Sequence, residues 1–339
     1  MAPRAQRLTI HDIAALAGVS AGTVSRTLND LPGVGQATRD RILDIVRSNG
    51  FTVDSAARQL STGRTRTVGI VFPVQVSEVV MHPVYPELLG ALGDTAQRLG
   101  YDIMMFTVSS AAQVDHVVDA VDGKRVDGVV LPAAGSRDPL VQRLTEHEVP
   151  TVLIGHRSRD QHLGWVDCTH DAAAAELTRD MLSRGRRRLV MLNGPAHISA
   201  CRLRSRGFWD AVEAAGGSAA AEEVVVEMDA ASGRAAALEL LRRPDAPDAI
   251  VCASDAIASG VLDAARELGI DVPGSLEVSG FDDSSFAIHT TPQLTTVRMP
   301  LLETGAAAME LLIAMIGGDD ALRHVVLPTT IIRRGSTLT

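Results

Sequence analysis

The sequence predicts an α/β protein in which a three-helix N-terminal head precedes a two-lobed body built on parallel sheets. A helix-turn-helix pattern occupies the first 50 residues, and short apolar strands alternate with helices from residue 68 onward. This alternation continues for more than 260 residues, too many for one sheet, so two similar lobes that face a cleft are expected. Ligands of such folds bind beyond the carboxyl ends of the strands.

Two helices joined by a tight turn are predicted at the start of the head. Thr9 is a candidate N-cap, with Asp12 three residues later, in a pattern close to a capping box. Gly18 suits the left-handed backbone of a tight turn, and Ser20 is placed to cap the second helix. The apolar face of the first helix comprises Ile13, Ala14, Leu16 and Ala17. Helices in this arrangement place the second of the pair in a DNA major groove.

A third helix, predicted from about residue 38 to residue 48, completes the head. Gly35 is its expected cap and Gly50 its expected stop. Val24 and Leu28 of the second helix point inward, and the third helix adds Ile42, Leu43, Ile45 and Val46. In the body, apolar runs predict strands at 68–73, 101–108, 126–131, 149–154, 188–192, 224–227, 249–252 and 276–281.

Charge is distributed unevenly along the chain. Residues 1–66 hold nine arginines and five aspartates, a net charge of +4, in a chain whose total is −9, so the remainder carries −13. A basic head on an acidic body is expected of a small DNA-binding unit fused to a ligand-binding one. Three widely spaced cysteines, the lack of an export signal and the lack of an apolar stretch of about 18 residues favour a reduced, cytoplasmic protein without a membrane partner.

Five segments lie in a fixed order along the chain: Ala17-Gly18-Val19-Ser20 with Thr23-Val24-Ser25-Arg26-Thr27-Leu28-Asn29, Gly63-Arg64-Thr65-Arg66-Thr67-Val68-Gly69, Val126-Asp127-Gly128-Val129-Val130, Gly280-Phe281-Asp282-Asp283, and Pro292-Gln293-Leu294-Thr295-Thr296-Val297-Arg298. Together they resemble the LacI/GalR family of bacterial transcription regulators, and the similarity runs from about Thr9 to Ser336. The resemblance implies a homodimer whose heads bind a near-palindromic operator in double-stranded DNA. It also implies a body similar to periplasmic sugar-binding proteins.

The resemblance divides the chain into three domains. Residues 1–53 form the helix-turn-helix DNA-binding domain, residues 54–67 a hinge helix and linker, and residues 68–339 the two-lobed effector-binding and dimerisation domain. The short segment 54–63 cannot be a stable helix alone in water. The resemblance implies that it forms on DNA, packed against its dimer mate.

The resemblance also implies which residues face DNA. Ser20, Thr23 and Ser25 are expected at phosphates, which position the protein rather than specify sequence. The fork of Arg26 is expected at guanine O6 and N7, a contact worth about 1–3 kcal/mol of discrimination. Leu60 falls where the family inserts a leucine into the minor groove, and such a wedge kinks the duplex. The other DNA-binding residues expected are Thr9, Ala21, Gly22, Asn29, Ala57 and Arg58.

The same resemblance implies an effector site between the lobes. Arg202 and Asp282 match an arginine and an acidic residue that relatives use on effector hydroxyls, and a donor facing an acceptor suits a vicinal diol. Two roles stay open for Asp255: it is either an effector contact or the cap of the helix that follows. The effector is expected to be small, polar and sugar-like. The remaining effector-binding residues expected are His82, Tyr85, His170, Asp171, Ser254 and Phe281.

Two alternative functions stay open. One is a solute-binding protein, which would need an export signal and would not need residues 1–60. The other is an Mg²⁺-dependent sugar-phosphate enzyme in which Asp282 and Asp283 hold the metal. The sequence lacks a phosphate-binding P-loop, a serine nucleophile elbow and a zinc-binding helix, so no catalytic residue, metal or cofactor is expected. A repressor is favoured, and a dimer is favoured over a tetramer because no leucine heptads follow the last strand.

Overall fold

The computed structural model describes residues 8–28, 32–51, 63–75, 77, 79, 84–133, 135, 138–217, 219–319 and 324–338. It divides the chain into two units, Met1–Thr65 and Arg66–Thr339. The described part of the first unit, called the head below, contains helices α1 (Ile10–Ala17), α2 (Ala21–Leu28) and α3 (Gln36–Ser48). Ile13, Val24 and Ile42, one from each helix, are fully buried against one another. The predicted three-helix head is therefore confirmed.

Local hydrogen bonds explain why the first two helices begin and end where they do. Thr9 Oγ1 accepts from the backbone N–H of Asp12, and Asp12 Oδ2 accepts from the backbone N–H of Thr9 at 2.7 Å, which completes the capping box. Gly18 ends α1 with φ of 64°, and Ser20 Oγ accepts from the N–H of Thr23 at 3.1 Å. Leu16, expected on the apolar face, is instead 57% exposed, because its position points away from α2 and α3.

The second unit, called the body below, contains all twelve strands that the structure describes. They are β1 (Thr67–Phe72), β2 (Asp102–Thr107), β3 (Val129–Pro132), β4 (Thr151–Ile154), β5 (Leu163–Cys168), β6 (Arg188–Asn193), β7 (Ala220–Val225), β8 (Ala249–Cys252), β9 (Glu277–Ser279), β10 (Thr296–Arg298), β11 (His324–Leu327) and β12 (Thr330–Ile332). The helices of the body are α4 (Tyr85–Arg98), α5 (Ala111–Asp122), α6 (Pro139–Glu146), α7 (His170–Ser183), α8 (Ser199–Ala214), α9 (Ala230–Leu241), α10 (Asp255–Glu267), α11 (Ser285–His289) and α12 (Leu301–Gly317).

Each lobe of the body is built on one parallel sheet. The first lobe has six strands in the order β11-β5-β4-β3-β1-β2, and the second has four in the order β7-β6-β8-β9. Strands β10 and β12 form a small antiparallel pair beside the second sheet. The apolar strands of the first sheet are covered by α12, whose Ala308, Met309 and Leu312 are buried with strand residues of β1, β3 and β4. The prediction of two lobes with parallel sheets is therefore confirmed.

The chain crosses between the lobes three times. The crossings lie between β5 and α7, between β10 and α12, and between β11 and β12. Helix α12 and strand β11 therefore return from the C-terminal part of the chain to complete the first lobe. Because the carboxyl ends of the parallel strands and these crossings lie together, the loops that follow the strands define the cleft.

Some predicted strands have other bounds in the structure, and β5 and β10–β12 were not predicted. The run 224–227 was predicted as a strand, whereas β7 spans Ala220–Val225. This strand lies at the edge of its sheet and is only partly buried, so it does not need the continuous apolar run that marks a central strand. Strand β5, Leu163–Cys168, was not predicted, because Trp165 and Asp167 interrupt its apolar pattern. Among the described residues, none of the helices has the length and hydropathy that a membrane span needs.

Helices α9 and α10 pack so closely that glycine is required at their contact. A Cβ on Gly260 would collide with the carbonyl oxygen of Ala230 and lie 2.6 Å from the backbone nitrogen of Arg234. We expect Gly260→Ala to lower the free energy of unfolding by about 2–3 kcal/mol, because backbone must shift to admit the methyl group. The matched control is Gly90→Ala in the interior of α4, where nothing lies within 4 Å of the new Cβ.

Urea denaturation followed by circular dichroism measures both variants. Gly90→Ala should stabilise the protein by up to about 1 kcal/mol through helix propensity. Equal unfolding midpoints for the two variants would show that the α9–α10 contact accommodates a methyl group at residue 260 without the expected loss of stability.

Candidate functional site

The exposed side of α2 carries the residues that sequence analysis assigned to DNA. Ser20, Gly22 and Arg26 are exposed, while Ala21, Thr23 and Ser25 are half-buried. The hydroxyls of Ser20 and Thr23 lie 2.9 Å apart, and the hydroxyl of Thr9 donates to Asp12 at 2.8 Å. Arg26 therefore presents its guanidinium to solvent beside short polar side chains. Asn29, Ala57, Arg58, Leu60 and the effector candidate His82 lie outside the described residues.

In the body, one buried arginine organises the cleft. Arg204 on α8 is 4% exposed, and its Nη2 lies 3.5 Å from Asp282 Oδ1 in the loop after β9. Its Nη1 donates to the carbonyl oxygen of Ala253, at the end of β8. The guanidinium stacks 4.1 Å from the centroid of the Phe281 ring. Two loops at the carboxyl ends of the second sheet, those after β8 and β9, therefore converge on this one side chain.

The loop that carries Asp282 is held in an unusual backbone conformation. Asp282 and Asp283 both have positive φ, 107° and 52°, which is uncommon for residues other than glycine. Asp255 holds this loop through hydrogen bonds on both sides of the aspartate pair. Its backbone N–H donates to Phe281 O at 2.7 Å, and its Oδ2 accepts from the N–H of Ser284 at 2.7 Å. The strained conformation is therefore imposed by surrounding hydrogen bonds.

Asp283 is already neutralised by two arginines. Its Oδ2 accepts from Arg298 Nε at 2.7 Å, and its Oδ1 accepts from Arg334 Nη2 at 2.6 Å. Because Asp282 faces Arg204, both carboxylates of the pair have arginine partners. This arrangement disfavours the alternative in which Asp282 and Asp283 hold Mg²⁺, since a cation would have to compete with three guanidinium groups.

A cavity of about 450 Å³ opens beside Asp282. Its walls come from both lobes and include Glu87 on α4, Arg298 on β10, Glu303 on α12 and Thr330 on β12. This volume lies within the range of small-molecule sites, about 300–1,000 Å³. Asp282 thus borders a space that admits a small polar ligand, and it connects that space with Arg204, which does not line the cavity itself.

The structure brings some of the predicted effector residues together and separates others. His170 and Phe281 contact Arg204, which faces Asp282. Asp171 Oδ1 lies 3.9 Å from Arg157 Nη2 in the neighbouring loop. The other three predicted residues have structural partners: Ser254 caps α10, Tyr85 packs against Phe72 in the first lobe, and Arg202 is exposed and donates to the carbonyl oxygens of Ala196 and His197.

Arg204 is the central residue of this cluster, and sequence analysis missed it although helical spacing could have found it. Cys201, Arg204, Phe208 and Ala211 recur every three or four residues and are all buried. Arg202 lies off this row, so it points to solvent. An arginine placed on the apolar face of a helix signals a buried charge that needs a partner. The open question about Asp255 is also answered, because Ser254 is the cap and Asp255 supports the Asp282 loop.

Burial raises the pKa values of two carboxyl groups in the cleft, those of Asp255 and Asp282. Burial and the charge of Asp282 raise the pKa of Asp255 to about 7. Burial raises the pKa of Asp282 to about 6, against the opposing effect of Arg204. Both folded-state pKa values exceed the unfolded value of about 4. Ionisation is therefore unfavourable in the folded state, and the stability that protonation confers is lost as pH rises through about 6 to 7.

We expect Asp255→Asn to remove most of this pH dependence. For the wild type, ionisation of Asp255 should lower the free energy of unfolding by about 1–2 kcal/mol between pH 6 and pH 8. Burial lowers the pKa of His170, which acts in the opposite direction because stability is then lost as pH falls below about 6.5. The free energies of unfolding of wild type and variant are therefore measured by urea denaturation at each pH, and their difference is compared across the pH range. A difference that does not change with pH would contradict the raised pKa of Asp255.

Comparison with known proteins accounts for both units. The model of bacterial regulatory proteins, lacI family, matches residues 9–54, and that of the periplasmic binding protein-like domain matches residues 178–337. The transcriptional regulator CelR of Thermobifida fusca is 32% identical over 339 residues, covering 98% of this chain and 99% of CelR. The regulator MalR of Streptomyces coelicolor is 33% identical over 342 residues, covering 97% and 96%.

Solved structures show the same architecture. A complex of CelR with cellobiose matches with a TM-score of 0.75 and 30% identity, covering 97% of this chain and all of that one. A lac repressor dimer bound to operator matches in fold, with a TM-score of 0.80 and 22% identity over 98% of this chain. The named relatives are transcription regulators rather than enzymes or exported solute-binding proteins. The chain thus belongs to the lacI family of bacterial regulatory proteins, as a DNA-binding transcription regulator.

Proposed function

We propose that this regulator is a homodimeric repressor whose operator affinity is lowered by a small sugar-like effector. The observation that carries the effector assignment is the pairing of Asp282, which lines the 450 Å³ cavity, with the buried Arg204. A guanidinium donates and a carboxylate accepts, so the pair matches adjacent hydroxyls of a sugar. The relative solved with cellobiose is 30% identical to this chain, which makes a β-linked glucose disaccharide the first ligand to test.

On the DNA side, the proposal assigns the residues of α2 and the following segment. Arg26 reads guanine, and the hydroxyls of Ser20, Thr23 and Ser25 contact phosphates. Thr9, Ala21, Gly22 and Asn29 line the same surface. Residues 54–67 form a hinge in which Leu60, flanked by Ala57 and Arg58, enters the minor groove. The exposed Arg26 beside small polar side chains supports this assignment in the head.

The domain boundaries follow from this assignment. Residues 1–53 bind DNA, residues 54–67 connect, and residues 68–339 bind the effector and a second copy. A regulator of chromosomal DNA works in the cytoplasm. Its three cysteines, Cys168, Cys201 and Cys252, are buried free thiols, which suits a reducing compartment.

Genomic capture tests the proposal as a whole. Full-length protein is mixed with sheared DNA of its own genome at moderate salt, and retained fragments are sequenced. We expect a small set of fragments that share a near-palindromic site. Cellobiose, maltose and a panel of mono- and disaccharides are then added to the complexes, and one of them should release the enriched fragments. Retention of all fragments in proportion to their abundance would contradict the proposal.

A further inference from the structure

Five side chains form a continuous polar row from the first lobe to the effector pair. Arg157, in the loop after β4, donates from Nε to Asp167 Oδ2 at 2.7 Å. Asp167 Oδ1 lies 3.3 Å from His170 Nε2, and His170 Nδ1 lies 3.4 Å from Arg204 Nη2. Arg204 Nη2 in turn lies 3.5 Å from Asp282 Oδ1. The row passes through the crossing between β5 and α7, because Asp167 lies near the end of β5 in the first sheet and His170 begins α7 in the second lobe.

The neighbours of His170 determine which of its nitrogens carries the proton. An arginine side chain only donates hydrogen bonds, so Nδ1 must accept from Arg204 and cannot itself be protonated. Nε2 then carries the hydrogen and lies 3.3 Å from Asp167 Oδ1, a buried oxygen that accepts no hydrogen bond in the described part of the chain. The ring is only 3% exposed, with Nδ1 against Arg204 and Nε2 against Asp167, so it is not accessible to a ligand. Burial also lowers the pKa of His170, which keeps the ring neutral.

The position of His170 affects how tightly Arg204 closes on Asp282. Charge-assisted N–H···O pairs close to about 2.7–2.9 Å when nothing competes. Here one nitrogen, Nη2, faces both the histidine acceptor and the carboxylate, and the carboxylate stays at 3.5 Å. The other anchors of Arg204, Ala253 and Phe281, hold Nη1 and the face of the planar guanidinium, whereas His170 shares Nη2 itself with the carboxylate. The pair is therefore kept open for a hydroxyl group.

We propose that His170 is a positioning residue, rather than a ligand contact, that holds Arg204 partly away from Asp282 and links it to Asp167 in the first lobe. This inference rests on the proposed effector role of the Arg204–Asp282 pair. An effector that draws Arg204 toward itself weakens its contact with His170. Asp167 and Arg157 then transmit the movement of Arg204 to the first lobe, at the point where the chain crosses between the lobes.

Two amide substitutions separate the roles of the two ring nitrogens. In His170→Asn the amide oxygen takes the place of Nδ1 and still accepts from Arg204. In His170→Gln the amide nitrogen takes the place of Nε2, which retains the donor to Asp167 but removes the acceptor. We expect His170→Gln to weaken sugar binding about tenfold or more, and His170→Asn to stay within about threefold of wild type. Equal losses for the two variants would overturn the inference.

Binding is measured by calorimetry on the full-length protein, with cellobiose first and then the sugar that releases operator fragments. Arg204→Met serves as the reference that distinguishes the two proposals. If Arg204→Met binds the sugar as wild type does, the effector site is misplaced. If Arg204→Met loses binding while the two His170 variants behave alike, the site stands and the positioning role is wrong. Urea midpoints of all variants confirm that each is folded.

A measurement without sugar tests the same geometry directly. Nitrogen-15 labelling of the ten histidines, with the His170 signals identified by their loss in His170→Asn, reports which ring nitrogen is protonated. We expect a neutral ring with hydrogen on Nε2, and a shift of the Nδ1 resonance in Arg204→Lys. Hydrogen on Nδ1, or an Nδ1 resonance that ignores the change at Arg204, would overturn the inference whichever sugar binds.

Discussion

Arg204→Met is expected to abolish the response to effector, whereas Arg202→Met, two residues away on the same helix, is expected to leave it unchanged. Arg204 is buried and shared between Asp282, His170 and the Ala253 carbonyl, while Arg202 is exposed and holds only the loop before α8. Truncation of one partner of a buried hydrogen-bonded charge pair costs about 2–5 kcal/mol of binding. The effector concentration that releases DNA should therefore rise at least about 30-fold.

Stability must be separated from binding in this comparison. Loss of Arg204 leaves Asp282 buried without its cation, a change that typically costs about 3–5 kcal/mol. The raised pKa of Asp282, about 6 already in the presence of Arg204, allows the carboxyl to take up a proton and limits this cost. Arg204→Lys keeps the charge and serves as the folded control, with a weaker response because lysine lacks the planar fork. A full response in Arg204→Met would show that effector binds elsewhere.

Arg26→Ala is expected to lower operator binding far more than binding to random DNA. A bidentate arginine–guanine contact contributes about 1–3 kcal/mol of discrimination, and a dimer makes it twice. We therefore expect a loss of about 30-fold to about 20,000-fold on captured operator fragments. Loss on random duplex should stay small, since that binding depends on the number of phosphate contacts.

The matched control is Arg47→Ala on α3. Arg47 is also exposed, but it pairs with Asp44 at 2.8 Å. Fluorescence anisotropy with labelled operator and a length-matched random duplex, at the same salt concentration, measures all three proteins. Parallel losses on the two duplexes in Arg26→Ala would show that this arginine binds backbone and does not read sequence.

Local signals in the sequence predicted the head well because the head depends on local chemistry. The capping box of Thr9 and Asp12, the left-handed Gly18 and the cap at Ser20 each involve residues within a few positions of one another. The failure at Leu16 has a physical cause. Helical spacing defines a wide apolar stripe, but only three-dimensional packing decides where the stripe ends, and Leu16 falls beyond the contact with α2 and α3.

The cleft was harder to predict because its residues are joined by long-range contacts. Arg204 meets Ala253 and Asp282, which are 49 and 78 positions away, and no local pattern records such a meeting. Asp282 was found because its motif stands out in the sequence. Arg202 was assigned to the site from the same kind of motif, and Arg204, two residues later, was not considered. Burial distinguishes them, and burial was readable only from the row of Cys201, Phe208 and Ala211.

The split architecture of the first lobe also sets an order of assembly. Residues 66–168 leave the ribosome well before α12 and β11, which cover one face and one edge of their sheet. Until α12 has been synthesised, at residue 317, apolar residues of β1, β3 and β4 lack the cover of Ala308, Met309 and Leu312. The four strands of the second sheet are complete by residue 279. Nascent chains of intermediate length should therefore be the ones that chaperones engage and that aggregate most readily.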